Sequence, residues 1–215
     1  MTRLRSRASG GGAARRKERT SNQIEFSKFI TRKIPTYDYL DNEALEIIEA
    51  NAETVLEQIG VRFTDNEEAL RLWKDAGADI KNDLVKIPRG LARSLCAFAP
   101  QKFIQLARNP ERSVEIGDKS LVLAPVYGPP FIRTLESGRR YATISDFKDL
   151  VKLAYSSKWL HHSGGTLCEP TDIPVSKRHL DMLLAHMTLS DKPFMGSVTE
   201  PERAKDSVDM CKILF

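Results

Sequence analysis

Small and polar residues follow three apolar segments in the second half of this 215-residue chain. Tyr127-Gly128-Pro129-Pro130 follows the first segment, Gly164-Gly165 the second, and Gly196-Ser197-Val198-Thr199 the third. These residue types suit a small ligand, because a phenol offers an aromatic face and a hydroxyl group donates hydrogen bonds. Glycine lets a backbone approach a ligand closely, or merely forms a turn. The pattern predicts a binding site where the three segments end.

Two adjacent histidines, His161 and His162, precede the glycine pair. Along a strand they point to opposite faces, so at most one of them can reach a ligand. His162 is the candidate. The alternative is one hydrogen-bonded core histidine and one that faces a helix. His179 and His186 lie seven residues apart on a predicted helix, without the spacing of a zinc helix, and are interpreted as structural.

The three apolar segments are predicted strands, each followed by a loop and a helix, with about 35 residues per unit. They are Leu121–Val126, Trp159–Ser163 and Pro193–Val198. Consecutive βα units with continuous apolar strands indicate parallel strands buried on both faces. Because no unit opens with a dinucleotide or Walker motif, the expected fold class is α/β, a TIM (β/α)8-type barrel. Three units cannot close such a barrel, so we expect it to be incomplete in this chain.

Three regions are expected along the chain. Residues 1–34 form a disordered basic tail, residues 35–120 a mixed α+β extension of helices and hairpins, and residues 121–215 the first βα units of the truncated barrel. In the extension, a helix is predicted from Asp41 to Ile59, and Gly60 ends it. A further helix after the first barrel strand is predicted to begin at a Ser145 cap.

Composition and charge exclude several classes of protein. The first twenty residues hold seven basic side chains and one acidic one, so the net charge of +4 leaves −2 for the rest. A basic arm without an ordered basic surface argues against nucleic acid as a partner. Three cysteines, distant in sequence and odd in number, indicate a reducing compartment rather than disulfides. No apolar run is long enough to span a membrane, and we expect a cytoplasmic protein with no bound metal.

An ordered set of segments from about residue 35 onward resembles the trimethylamine methyltransferase family, in particular its bacterial branch. The segments are Leu40–Leu45, Leu56–Val61, Tyr127–Phe131, Gly138–Thr143 with Asp146-Phe147, His161–Gly165, Lys177–Asp181 and Ser190–Phe194. The resemblance implies transfer of a methyl group from a tertiary or quaternary amine, of the trimethylamine or glycine betaine type, to a corrinoid. A separate corrinoid-binding protein carries this cobalamin cofactor. Family members are about twice as long, so this chain corresponds to an N-terminal portion.

The resemblance also implies roles for residues at the predicted site. Tyr127 offers a face to a cationic amine, or packs as a loop aromatic on Pro129 and Pro130. Glu169, with Asp172, offsets the cation, or is an exposed loop carboxylate. Ser197, with Thr199, donates hydrogen bonds, or caps the next helix.

Other assignments stay open. The substrate-binding set is Tyr127, His162, Gly164, Gly165, Glu169 and Ser197, and the catalytic residues are unknown. Arg139-Arg140 holds a carboxylate or corrinoid phosphate, or forms a solvated turn. A homo-oligomer is possible. The alternative function is a non-catalytic truncated remnant or one half of a split barrel.

Overall fold

A computed structural model describes residues 27–215 and divides them into two compact units. The smaller unit contains residues 33–101, and the larger unit contains residues 27–32 and 102–215. Residues 1–26, most of the expected tail, lie outside the described range. None of the helices in the described range combines the length and apolar character needed to cross a bilayer.

The chain is mixed α and β. Besides its α-helices and β-strands it contains a π-helical turn, Val55–Ile59, and a 3-10 turn, Pro110–Arg112. In chain order the elements are β1 (Ile30–Thr31), α1 (Asn42–Thr54), β2 (Val61–Arg62), α2 (Glu67–Asp75), β3 (Asp79–Lys81), β4 (Leu84–Lys86), α3 (Leu91–Cys96), β5 (Lys102–Gln105), β6 (Val114–Gly117), β7 (Ser120–Leu121), β8 (Phe131–Thr134), β9 (Gly138–Tyr141), α4 (Ile144–Ser156), α5 (Val175–Leu189) and α6 (Pro201–Leu214).

The strands form three small antiparallel sheets, ordered β1-β7-β6-β5, β2-β4-β3 and β8-β9. Residues 27–215 contain no closed barrel. The expected boundary at residue 120 also differs from the observed division at residue 101, because β5, β6 and β7 pair within the larger unit. Ile30 of β1 pairs with Leu121 of β7, so the segment 1–34, expected to be disordered throughout, contributes a strand.

In the smaller unit, α1 continues into the π-helical turn Val55–Ile59, which packs against β4. The Asp41 carboxylate accepts the Ala44 N–H at 2.8 Å, so Asp41, the residue at which the helix was predicted to begin, is its N-cap. The helix ends at Gly60, whose φ is +82° and where a Cβ would lie 2.5 Å from the Val85 carbonyl oxygen. Only glycine fits this position. Val85 and Ile87 are buried there against Leu56 and other partly buried apolar side chains.

In the larger unit, the three predicted strands are not regular β-strands but irregular segments that run side by side in the same direction. The Leu123 carbonyl oxygen accepts the His161 N–H at 3.0 Å, and the Thr166 carbonyl oxygen accepts the Gly128 N–H at 2.7 Å. Both contacts join residues 38 apart in sequence, which requires a parallel course. The Pro193 carbonyl oxygen accepts the Ser163 N–H at 2.8 Å and extends the arrangement to the third segment. These bonds are too few and irregular to form a strand ladder.

Helix α4 packs on this layer and buries Phe147 and Val151 in the core of the larger unit. Its cap is Thr143, in a capping box with Asp146, and the prediction of Ser145 as the cap is wrong. Thr143 succeeds because its own N–H and hydroxyl group both bond Asp146, at 2.8 and 2.7 Å. The β8-β9 hairpin, which precedes this cap, lies in a stretch where we expected only a loop.

A buried ammonium group ties the end of α4 to the third segment. Lys192 is wholly buried, and its Nζ donates to the carbonyl oxygens of Ala154 at 2.8 Å and Ser157 at 2.9 Å. A cation at a helix C-terminus satisfies free carbonyl groups and favours the helix dipole. Burial, and secondarily Arg112, lower the pKa of Lys192 to about 8, while Asp191 opposes the shift.

We predict that Lys192→Met lowers the free energy of unfolding by about 1–3 kcal/mol, because two buried carbonyl oxygens lose their donor. Urea denaturation followed by circular dichroism measures the change. The control is Lys152→Met in α4, since Lys152 is exposed and pairs with the exposed Asp149. It should shift the value by less than about 0.5 kcal/mol. A Lys192→Met protein as stable as wild type would show that the free-energy cost of burying the ammonium group equals the gain from its two hydrogen bonds.

Candidate functional site

The predicted site residues Tyr127 and Gly165 are in contact where the first two parallel segments end. A Cβ on Gly165 would lie 2.7 Å from Cε1 of Tyr127 and 3.3 Å from the Met195 carbonyl oxygen. The Tyr127 hydroxyl group lies 3.8 Å from Met195 Sδ, to which it donates a weak hydrogen bond. Partial burial raises the pKa of Tyr127, although 44% of the residue remains exposed. The three segments therefore bring together the accessible ring of Tyr127, the backbone of Gly165, which has no side chain, and the thioether of Met195.

His162, another predicted site residue, is buried in this region. It is 2% exposed, and its Nδ1 accepts the Gly164 N–H at 2.8 Å across a tight bend. Gly164 has a φ of +94°, a left-handed conformation that favours glycine. Burial, with a smaller effect of His186, lowers the pKa of His162 to about 4, so the imidazole is neutral at pH 7.

His186 of α5 holds the same turn from the helix layer. Its Nε2 donates to the Gly165 carbonyl oxygen at 2.8 Å, so its Nδ1 accepts the Ser163 hydroxyl proton, also at 2.8 Å. The ring stacks on Phe194 of the third segment and meets the Phe147 edge in a T-shaped contact. Burial lowers its pKa. The helical spacing of His179 and His186 suggested a structural role but gave no sign of these partners.

Glu169 and Ser197 are not brought into contact with Tyr127 or His162 by any bond that we find in residues 27–215. The Glu169 carboxylate is half exposed and lies 3.6 Å from Arg178 of α5. Ser197 is half-buried after the third segment. Helix α6 has Glu200 at its N-cap and no side-chain cap, so the interpretation of Ser197 or Thr199 as its cap is wrong.

Other polar residues near the site have structural partners. Asp172 accepts the Ile144 N–H at 2.9 Å, at the start of α4. Arg140 makes a bidentate ion pair with Asp146 at 2.7 and 2.8 Å, which holds the pKa of that carboxyl group well below its usual range. The Arg139 guanidinium lies 4.0 Å from the centre of the Phe131 ring. Arg140 therefore braces the α4 cap rather than forming a solvated turn.

The remaining buried histidines and acids do not form a metal site in the described range. His161 Nδ1 accepts the Leu123 N–H at 3.0 Å, and burial lowers its pKa. His179 bonds Asp206 of α6 through Nε2 at 2.9 Å. These contacts fix neighbouring elements rather than assemble ligands around one point.

Comparisons with known proteins decide the family. The family model for trimethylamine methyltransferase (MTTB) matches residues 8–215. The chain belongs to this family. It is 42% identical over 182 residues to glycine betaine methyltransferase of Desulfitobacterium hafniense (strain Y51), an alignment covering 85% of this chain and 38% of that protein. It is also 27% identical over 165 residues to proline betaine:corrinoid methyltransferase of Eubacterium limosum, covering 75% and 34%.

The resemblance of the short segments to the trimethylamine methyltransferase family is thus confirmed. The chain spans little more than a third of the length of these two relatives. The Tyr127–Gly165–Met195 contact and the His162 bend lie inside the part that matches the family model.

We predict that His162 makes stability depend on pH between about 4 and 6.5. In this window the unfolded chain binds a proton at His162 and the folded chain does not, so stability is full above 6.5 and is lost as the pH falls. The loss attributable to His162 is on the order of 3 kcal/mol. Urea denaturation at several pH values should give flatter profiles for both His162→Asn and His162→Gln. Profiles parallel to wild type would contradict the assigned pKa.

We predict that Gly165→Ala destabilises the fold by about 1–3 kcal/mol, because the new methyl group overlaps the Tyr127 ring. The cost should fall by at least about 1 kcal/mol in a Tyr127→Ala background, where the ring is absent. A double-mutant cycle from denaturant unfolding measures this coupling. Equal costs in the two backgrounds would place the overlap elsewhere, for example at the Met195 carbonyl group.

Proposed function

We propose that the protein contributes to the substrate site of a corrinoid-dependent methyltransferase acting on a quaternary or tertiary amine, glycine betaine foremost. The observation that carries the proposal is the exposed Tyr127 ring, held in contact with the Gly165 backbone beside Met195. A quaternary ammonium ion is attracted to an aromatic face. A thioether is polarisable and adapts to methyl groups.

The names of the two relatives support the choice of substrate and partner. One is a glycine betaine methyltransferase and the other a proline betaine:corrinoid methyltransferase, and both betaines are quaternary amines with a carboxylate. The chain is more similar in sequence to the first than to the second, which favours glycine betaine over proline betaine. The methyl acceptor in this proposal is the reduced cobalt of a corrinoid held by a separate small protein.

In the proposed reaction the cobalt atom attacks a methyl carbon of the ammonium group. The carbon–nitrogen bond breaks, the nitrogen keeps the electron pair, and a tertiary amine leaves, so no proton has to move. The protein must bind and orient the donor, exclude water and admit the corrinoid. Tyr127, His162, Gly164 and Gly165 are the proposed binding residues of the shared turn. Glu169 and Ser197 are proposed to join them from the loops that follow the second and third segments.

We also propose that the three parallel segments are the first strands of a TIM (β/α)8-type barrel. Their common direction and the constant 38-residue offset between the first two support it, as do the helices α4, α5 and α6 that follow them. Binding residues at the ends of the segments agree with the usual placement of sites in such barrels.

The test is methylation of cob(I)alamin, followed by visible absorbance, with glycine betaine and trimethylamine as donors. The chain is assayed alone and with the part of the Desulfitobacterium hafniense protein that it does not match. We predict turnover with glycine betaine when the second piece is present. Tyr127→Leu should raise KM about 3- to 30-fold, the value of one cation–π contact.

Tyr141→Leu is the matched control, because Tyr141 is an exposed tyrosine of the β8-β9 hairpin whose ring packs at a tilt against Phe131. Its KM should stay at the wild-type value. Turnover that needs the second piece supports one half of a split enzyme. If folded protein gives no turnover in either mixture, methyl transfer is the wrong assignment and the non-catalytic alternative stands.

A further inference from the structure

The proton of the His162 imidazole has a fixed position. The Gly164 N–H can only donate, so Nδ1 of His162 must carry a lone pair. In the neutral ring the proton is then on Nε2, which makes Nε2 a hydrogen-bond donor. No hydrogen bond from this buried Nε2 is formed within residues 27–215.

A buried donor without an acceptor is unfavourable, and most such groups in folded proteins are satisfied. The residue is 2% exposed, so an incoming acceptor reaches it only if the segment covering it moves. A buried unpaired donor beside a candidate site is a group that a ligand can satisfy.

Two short links connect this donor to the aromatic contact. Gly164 donates to His162, and its carbonyl oxygen accepts the Met195 N–H at 2.9 Å. The next residue, Gly165, touches the Tyr127 ring. An aromatic face and a neutral N–H donor therefore belong to the same turn. This pair of groups suits a molecule with a methylated ammonium group at one end and a carboxylate at the other.

We infer that His162 Nε2–H donates a hydrogen bond to the carboxylate of the amine substrate and so selects betaines over amines that lack a carboxylate. The inference rests on the proposed function, since it places the ammonium group at Tyr127. It makes His162 a specificity-determining residue with no part in breaking the carbon–nitrogen bond.

The experiment is calorimetric titration of the 215-residue chain, at pH 7.5, with glycine betaine and with ethyltrimethylammonium, in which a methyl group replaces the carboxylate. Wild type should bind glycine betaine about 10- to 100-fold more tightly, as expected for a charge-assisted hydrogen bond. His162→Asn keeps an acceptor for the Gly164 N–H but has no donor at the Nε2 position, so the preference should disappear. His162→Gln keeps a donor there and should retain most of it.

The ratio of the two affinities on one protein cancels any inactive fraction. If His162→Asn does not fold, the Nε2–H resonance of [15N]histidine-labelled wild type replaces it, and glycine betaine alone should shift that signal. Equal binding of both ligands by wild type, or an unchanged preference in His162→Asn, overturns this inference and leaves the proposed function standing. Absence of binding of either ligand, both by the chain alone and in the presence of the second piece used in the turnover assay, overturns both.

Discussion

The imidazole of His186 is the contact on which the larger unit depends. It bonds the second parallel segment on both sides of Gly164, through Ser163 and the Gly165 carbonyl group. Its faces and edges meet Phe194 of the third segment and Phe147 of α4. One side chain on α5 thereby connects two segments and two helices. It holds an irregular glycine turn in place where no strand ladder could, because the backbone bonds between the segments are so few.

Helix α4 is anchored at both ends by charges that oppose its dipole. At its N-terminus Asp146 and Asp172 accept backbone N–H groups, and Arg140 neutralises Asp146 without displacing it. At its C-terminus the buried Lys192 donates hydrogen bonds to carbonyl oxygens that have no partner within the helix. Anions at the positive end and a cation at the negative end both stabilise a helix. Since Asp172 follows the second segment and Lys192 precedes the third, these contacts also set where those segments lie against the helix.

The long amphipathic helices and the parallel direction of the three segments could be predicted from the sequence. The periodic apolar residues of α1 and α5, the Asp41 cap and the parallel course of the three segments all follow from local pattern. The β8-β9 hairpin was not predicted, because its strands are four residues long and carry arginines in place of an alternation of apolar and polar residues. Ser145 was predicted as the cap, although Thr143 and Asp146 have the Thr-x-x-Asp spacing of a capping box, a local signal that the prediction did not use. At the site, Tyr127 and Gly165 were identifiable from their positions after predicted strands. Met195 and His186 were not, because their roles arise only when distant segments meet.

The pKa values of the buried histidines bear on what such a site can hold. Burial lowers the pKa of His161, His162 and His186. The pKa of His162 falls to about 4. All three rings are therefore neutral near pH 7, and each contributes hydrogen bonds without positive charge. The proposed site for a quaternary ammonium ion favours this condition, because an imidazolium group nearby would repel such a cation. The same burial that costs stability in acid thus keeps the turn compatible with a cation. An arginine or lysine in place of His162 could bind a carboxylate more strongly, but it would place a like charge next to the ammonium group of the same small molecule.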